Sequence, residues 1–288
     1  MRNAFINSLT RLATKNKKIV LVVGDLGFSV VEEFKKKFPD RFYNAGVAEQ
    51  NMATLAAGLA SEGFKVFTYS IANFPTFRCA EQIRNDIDYH NLSVTTVTVG
   101  GGLAYGNLGY SHHAIQDYGL MRLFPNMTIL SPGDPIEVEG LLNFAIKNNG
   151  PNYLRLGKSG EPKFHKSKLI IQDAKFLPIF KNARSKKLIL TTGATLELGL
   201  KLLSRKKFAN YNVYSCPVWG QKYKKKISTE LKKWNEIIIL EEHLIDCGFF
   251  SYISEINRSI KTISISLNHN IIGKVGSQKY LNSLGGLK

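Results

Sequence analysis

Short runs of β-branched and leucine side chains, each followed by a turn and then a helical stretch, recur along this chain and leave few folds open to it. The first run is Lys18-Ile-Val-Leu-Val-Val23, which stops at Gly24-Asp25. A strand-length run without polar alternation suits a parallel strand buried on both faces. An amphipathic helix from Val30 to Lys37 follows, closed by Phe38-Pro39-Asp40, and then a small-residue apolar helix after Glu49. Further strands are predicted at Lys65–Tyr69, Ser93–Val99, Thr128–Leu130 and Pro151–Leu156, with helices from Phe77 to Asp88 and Pro135 to Lys147. Pro135 suits the first turn of its helix, where an amide hydrogen is not needed.

The alternation resumes after a lysine-rich stretch that lacks helical period. Lys187–Thr191 reads as a strand entering the turn Thr192-Gly193-Ala194, with a helix from Leu196 to Leu203. Strands are expected again at Tyr211–Tyr214, Glu236–Leu240 and Thr262–Ser266. Repeated strand–helix units imply parallel sheets covered by helices on both faces. The fold class is therefore α/β, with two doubly wound domains and mainly parallel sheets. The expected division is 1–160 for the first domain, 161–186 for a crossover linker and 187–288 for the second. Within the linker, Leu169–Ile171 and Phe176–Phe180 are expected to form short strands. A length of 288 residues agrees with two domains of roughly 100–200 residues each.

Net charge narrows function less than it first suggests. The chain carries a formal +17, which can signal nucleic-acid or membrane-surface binding. Its lysines are dispersed in short runs such as Lys35–Lys37 and Lys222–Lys226, and none interleaves with aromatics as in a nucleic-acid module. The abundance of Lys, Asn and Ile reads as compositional, and the rest of the charge would serve an acidic partner subunit or phosphorylated substrates. No segment reaches the ~20 apolar residues of a membrane span, and the N-terminus lacks a signal peptide's apolar core, so a cytoplasmic protein with neither nucleic-acid nor membrane partners is expected. Cys79, Cys216 and Cys247 stand far apart. They form no zinc or disulfide pattern and are read as buried small hydrophobes.

Candidate chemistry begins at Tyr43-Asn-Ala-Gly-Val-Ala-Glu49-Gln-Asn-Met52. Glu49 opens a helix whose following positions are mostly alanine, leucine and methionine. Such a helix packs closely, so its first acid is expected to be partly buried and to need a partner. The helix dipole alone also favours an acid there. Phe74 and Phe77 follow the second strand, and Gly109-Tyr-Ser-His112-His113 lies further on. Asp25 stands at the carboxyl end of the first strand, where α/β sheets place their sites, although a turn aspartate would also suit.

Taken in order, these segments resemble the transketolase family of thiamine-diphosphate enzymes, over nearly the whole chain. The resemblance implies that residues 1–160 form a pyrimidine-binding domain and residues 187–288 a transketolase C-terminal-like domain. It places Glu49 as the acid that hydrogen-bonds N1′ of the cofactor's aminopyrimidine, favouring the imino form whose nitrogen deprotonates the thiazolium carbon. The hard chemistry is then the cofactor's. Phe74 and Phe77 fall where family aromatics stack on and flank the pyrimidine, while Ile71 fills a further position that is usually aromatic. Asp25 matches an aspartate near the thiazolium end. Ser111-His112-His113 resembles the Thr-His-Gln/His motif, with His112 handling substrate protons as a second catalytic residue; a neutral imidazole both donates and accepts them. His113, Arg84 and Lys158 are secondary candidates for substrate contacts. Gly100 replaces an expected histidine and Lys158 stands near an expected arginine, so donor and acceptor need not be those of the pentose-phosphate enzyme. Ser131-Pro-Gly-Asp134-Pro and Glu241-Glu242-His243 are similar to later family landmarks, His243 being read as structural.

One half of such a site is not represented. Gly-Asp-Gly with a following asparagine pair, the family's diphosphate and Mg2+ signature, does not occur in this sequence. The resemblance therefore implies a split enzyme in which a separate N-terminal transketolase-like subunit holds the diphosphate and Mg2+, and this chain supplies no metal ligand. An α2β2 assembly with a self-dimer of this chain is expected, acting on sugars or sugar phosphates by moving a two-carbon ketol unit from a ketose to an aldose. Rival readings are the β subunit of a 2-oxo acid dehydrogenase, a deoxyxylulose-phosphate synthase-like enzyme, and a non-catalytic regulatory relative.

Overall fold

The computed structural model describes residues 1–257 and 259–288. Its first strands are β1 (Ile19–Val23), β2 (Phe42–Asn44), β3 (Lys65–Ile71), β4 (Val94–Val99), β5 (Thr128–Leu130) and β6 (Asn152–Leu156). The later ones are β7 (Leu177–Phe180), β8 (Lys187–Thr191), β9 (Asn212–Ser215), β10 (Val218–Trp219), β11 (Glu236–Leu244) and β12 (Lys261–Leu267). They form a seven-stranded sheet in the order β10-β5-β6-β4-β3-β1-β2 and a five-stranded sheet in the order β12-β11-β8-β9-β7. Both are parallel except at one edge each: β10 runs antiparallel to β5, and β7 antiparallel to β9. Every residue of β1, β4 and β6 is buried. Helices on both faces exclude water from these strands, which is why their runs are apolar or threonine-rich without alternation.

The two sheets are joined by buried polar contacts. Asp117 and Arg155 form an ion pair, Nε to Oδ2 at 2.7 Å, with both side chains almost wholly buried. Arg155 Nη2 also donates to the Ala114 carbonyl at 2.6 Å and to the Glu242 carbonyl of β11 at 3.0 Å. Losing one partner of such a pair typically costs about 3–5 kcal/mol, because it strands the other charge. Trp219 Nε1 donates to Thr192 Oγ1 at 3.1 Å, so β10 ties the end of the first sheet to the turn after β8. Asp134 caps the helix Pro135–Lys147 by accepting from the amides of Ile136 and Glu137. Its second oxygen takes the amides of Phe164 and His165 together with the His165 ring. Asp134, Glu137 and His165 are close enough to hold a cation, but that second oxygen of Asp134 is already fully engaged.

Three expectations need correction. The single helix expected from Phe77 to Asp88 is instead a short helix Phe74–Phe77, a turn Ala80–Gln82 and a wide π-helical turn Ile83–Asp88. Pro75 starts the first of these one turn early, and Cys79 leaves helical geometry with φ −108° and ψ 12°. Leu169–Ile171 forms no strand. That segment lies on the helix Pro135–Lys147 where Gly140 has no side chain: a Cβ there would stand 2.6 Å from Ile171 and 3.1 Å from the Leu169 carbonyl. Cys247 is exposed, while Cys79 and Cys216 are buried. It occupies the turn after β11 with φ 60°. No described helix is long and apolar enough to cross a membrane.

Candidate active site

Glu49 is the first residue of the helix Glu49–Ser61, yet it is only 3% exposed. The end of β1, the end of β3 and this helix meet around it. A Cβ added to Gly24 would lie 3.6 Å from each of Glu49 Cγ, Met52 Sδ and Ser70 Oγ. Glu49 Oε2 accepts from Arg78 Nη1 at 3.0 Å. Its other oxygen, Oε1, is buried and has no partner. A buried carboxylate oxygen left unpaired costs about 1–3 kcal/mol, so the position calls for a hydrogen-bonding ligand. A cavity of about 410 Å³ adjoins the residue, lined by Val47, Ala48, Glu49, Gln50, Asn51 and Arg78.

Phe74 and His112 are brought together, and Arg78 links Phe74 to this carboxylate. Their rings meet edge to face with centroids 5.3 Å apart, and the Arg78 guanidinium lies 4.5 Å from the centre of the Phe74 ring. Asn73, just before Phe74, donates to the carbonyls of Ser111 and His113 at 3.1 and 3.0 Å. The histidine loop is thereby fastened to the turn after β3. His112 Nδ1 is 3.0 Å from Ser111 Oγ. Partial burial, reinforced by His113 nearby, lowers its pKa below the usual histidine value, so the ring is neutral at neutral pH and free to exchange protons. His113 is 1% exposed, and its Nε2 donates to the Gly106 carbonyl at 3.1 Å.

The remaining candidates lie around the rim or apart from it. Ile71 ends β3, three residues before Phe74. Phe77 is 48% exposed. Asp25 has φ 53° and is exposed, but a reciprocal pair fixes it: its amide donates to Asn44 Oδ1 at 3.1 Å and Asn44 Nδ2 donates to Asp25 Oδ1 at 2.8 Å. Lys158 lies over the Tyr105 ring at 5.1 Å, and Tyr105 in turn faces His112 at 6.4 Å. Arg84 is exposed on the π-helical turn and bonds its neighbour Asn85; no contact joins it to Glu49 or His112.

The sequence profile described as transketolase, pyrimidine binding domain, matches residues 1–162. The chain belongs to the transketolase family. It is 30% identical to a protein named as a putative transketolase C-terminal section from Methanocaldococcus jannaschii, over 100% of this chain and 92% of that one. It is 29% identical to a protein from Actinobacillus succinogenes named as one of the subunits of an apulose-4-phosphate transketolase, covering 89% of this chain and 83% of the relative. Among solved structures it superposes on a split gene transketolase described as an inactive β4 tetramer, with TM-score 0.85 and 27% identity over 100% of this chain and 93% of that chain. The chain is thus a transketolase-like subunit of the C-terminal type.

Within this transketolase-family frame, four residues of the site escape a reading of the sequence: Arg78, Asn73, Asn44 and Tyr105. Two of them carried a signal. Arg78 follows Phe74 by four positions, the spacing at which side chains meet on a helix, and Asn73 adjoins Phe74. Asn44 and Tyr105 act through contacts that only the tertiary structure makes.

Proposed function

We propose that this chain supplies the pyrimidine half of a thiamine-diphosphate site in a split ketol transferase, and that a second chain holds the diphosphate and Mg2+. The observation that carries the reading is Glu49 Oε1, a buried acceptor without a partner, on a residue that lines a cavity together with Arg78, whose guanidinium lies against Phe74. An aminopyrimidine ring satisfies that setting, since it offers a protonated ring nitrogen to the carboxylate and a flat face to the phenylalanine. When bound, the cofactor supplies the carbon nucleophile that carries the two-carbon unit. Glu49 holds a proton in common with the ring nitrogen. Phe74 orients the ring, Ile71 adds an apolar side chain to the slot, and Phe77 closes it once the partner chain covers its exposed face. His112 moves protons at the substrate's hydroxyl or carbonyl oxygen. Asp25, held by Asn44, marks the thiazolium side. His113 supports the loop from within, and Lys158 reaches the site through Tyr105.

The names of the relatives point the same way. One is named as a single subunit of an apulose-4-phosphate transketolase, which supports an enzyme of more than one chain and a phosphorylated sugar, a substrate class that also suits the +17 charge of this chain. The test is isothermal titration of thiamine diphosphate and Mg2+ into this chain, alone and with its diphosphate-binding partner, followed by assay of ketose donors. Binding in the mixture alone, with ketol transfer, is the expected result. Micromolar binding by this chain alone would overturn the two-chain site. A mixture that forms but binds nothing would overturn the catalytic reading.

A further inference from the structure

One oxygen of Glu49, Oε2, is partnered in this structure, and the side chain that holds it does so in the manner proposed for the cofactor. Arg78 gives Nη1 to Glu49 Oε2 at 3.0 Å, and its guanidinium carbon lies 4.5 Å from the centre of the Phe74 ring. A guanidinium is a flat, delocalised cation with N–H donors at its edge and a face that stacks on aromatics. An aminopyrimidine protonated at its ring nitrogen has the same description. Arg78 and Glu49 also line the same cavity. We infer that Arg78 is the resident occupant of the pyrimidine slot, a built-in competitor that must leave Glu49 and Phe74 before the cofactor binds.

This rests on the reading that Glu49 and Phe74 hold the pyrimidine, and it adds a residue which sets how tightly they do so. The two occupants exclude each other chemically as well as sterically. Arginine does not release its proton, so the Arg78 contact is a plain ion pair, whereas the cofactor requires a proton shared with the carboxylate. Departure is easy because the Arg78 side chain is 53% exposed while that of Glu49 is 2% exposed. The arginine turns into solvent, and the carboxylate stays where it is. The apparent affinity for the cofactor is then reduced by the fraction of molecules in which Arg78 is closed.

The experiment measures the dissociation constant of thiamine diphosphate, at fixed Mg2+, for the complex of this chain with its diphosphate-binding partner. Arg78→Ala is expected to tighten binding by roughly 5- to 30-fold, the combined strength of a half-exposed ion pair and a cation–π contact. Arg78→Lys keeps the charge but loses the plane, and is expected to fall between the two. In a Glu49→Ala background, the gain from Arg78→Ala should shrink to about twofold or less, because the contact that holds the arginine is already gone. Unchanged or weaker binding in Arg78→Ala would overturn the inference; weaker binding would make Arg78 a direct ligand. Failure of the underlying reading looks different: Glu49→Ala and Phe74→Ala would then both bind the cofactor as the parent complex does, whatever Arg78 contributes.

Discussion

Asn73 donates from Nδ2 to the carbonyl of His113 at 3.0 Å, so the residue before Phe74 fixes the loop that presents His112. A second bond from the same nitrogen reaches the Ser111 carbonyl at 3.1 Å. The turn after β3 and the histidine loop are therefore tied together, and on the proposed reading a cofactor ring held by Phe74 would be placed relative to His112 as well. Asn73→Ala removes both bonds. We expect turnover of the reconstituted enzyme to fall by about 10- to 100-fold, the range produced by small misplacements of reacting groups, while cofactor affinity changes by less than about threefold, within roughly 0.65 kcal/mol. Thermal unfolding should show a loss of about 1–3 kcal/mol for the two hydrogen bonds. Unaltered turnover would mean that the tie does not set the position of His112.

Glu49→Gln keeps the size of the side chain and removes the proton sharing with the ring nitrogen that is proposed for it. General acid–base contributions of this kind are about 10²–10⁴-fold, so turnover is expected to drop at least a hundredfold. Light scattering should show the assembly intact. An enzyme that ran near its normal rate with glutamine at this position would remove Glu49 from its proposed role.

Phe74 and Phe77 should differ although they share a motif. Phe74 is partly buried between His112 and Arg78, whereas Phe77 is 48% exposed in this chain. Phe74→Ala should weaken cofactor binding by about 2- to 12-fold from lost stacking alone. Phe77→Ala should leave the stability of the isolated chain within about 0.5 kcal/mol and show its effect only after the partner covers it. Titration of the two variants with and without the partner chain separates these outcomes. A stability loss in isolated Phe77→Ala equal to that of Phe74→Ala would contradict the distinction.

Much of this architecture could be read from local pattern, and the reason is physical. Thr128–Leu130, Lys187–Thr191 and Pro135–Lys147 coincide with the expected elements residue for residue. The two strands are buried apart from Lys187 at the start of one, and the helix has Pro135 and an Asp134 cap at its start, so local chemistry and tertiary environment agree. What escaped were elements whose existence depends on distant partners. β10 is two residues long and forms only because β5 offers an edge. β2 is three residues laid against β1. In the site, the position of Glu49 at a helix start followed from its sequence, but its ion pair with Arg78 spans 29 residues and has no local trace. The partial loss of helix before Asp88 has a local cause instead: Pro75 moves the helix start without disturbing the apolar pattern.

His243 offers a test of how the second sheet is locked to the first. It is fully buried in β11, stacked on Tyr118 with ring centroids 5.4 Å apart. Its Nδ1 donates to the Leu244 carbonyl at 2.7 Å, and Nε2 accepts the Gly119 amide at 3.4 Å. Both ring nitrogens are engaged in the neutral form, and burial depresses the pKa from 6.5 to about 4. Well above pH 6.5 the ring is neutral whether the chain is folded or not, so this group contributes no pH dependence there. As pH falls through 6.5 the unfolded chain takes up a proton that the folded chain refuses, and stability is lost progressively until the folded pKa is reached. Between pH 7.5 and 5 the loss from this one group is on the order of 2 kcal/mol. Urea unfolding of His243→Gln should therefore show a shallower decline over that interval than the parent chain, even if the variant is less stable at pH 7.5 for want of the imidazole stack. Parallel declines would mean that His243 is reached by solvent and titrates normally, and the junction between the sheets would then have to owe its acid sensitivity to another group.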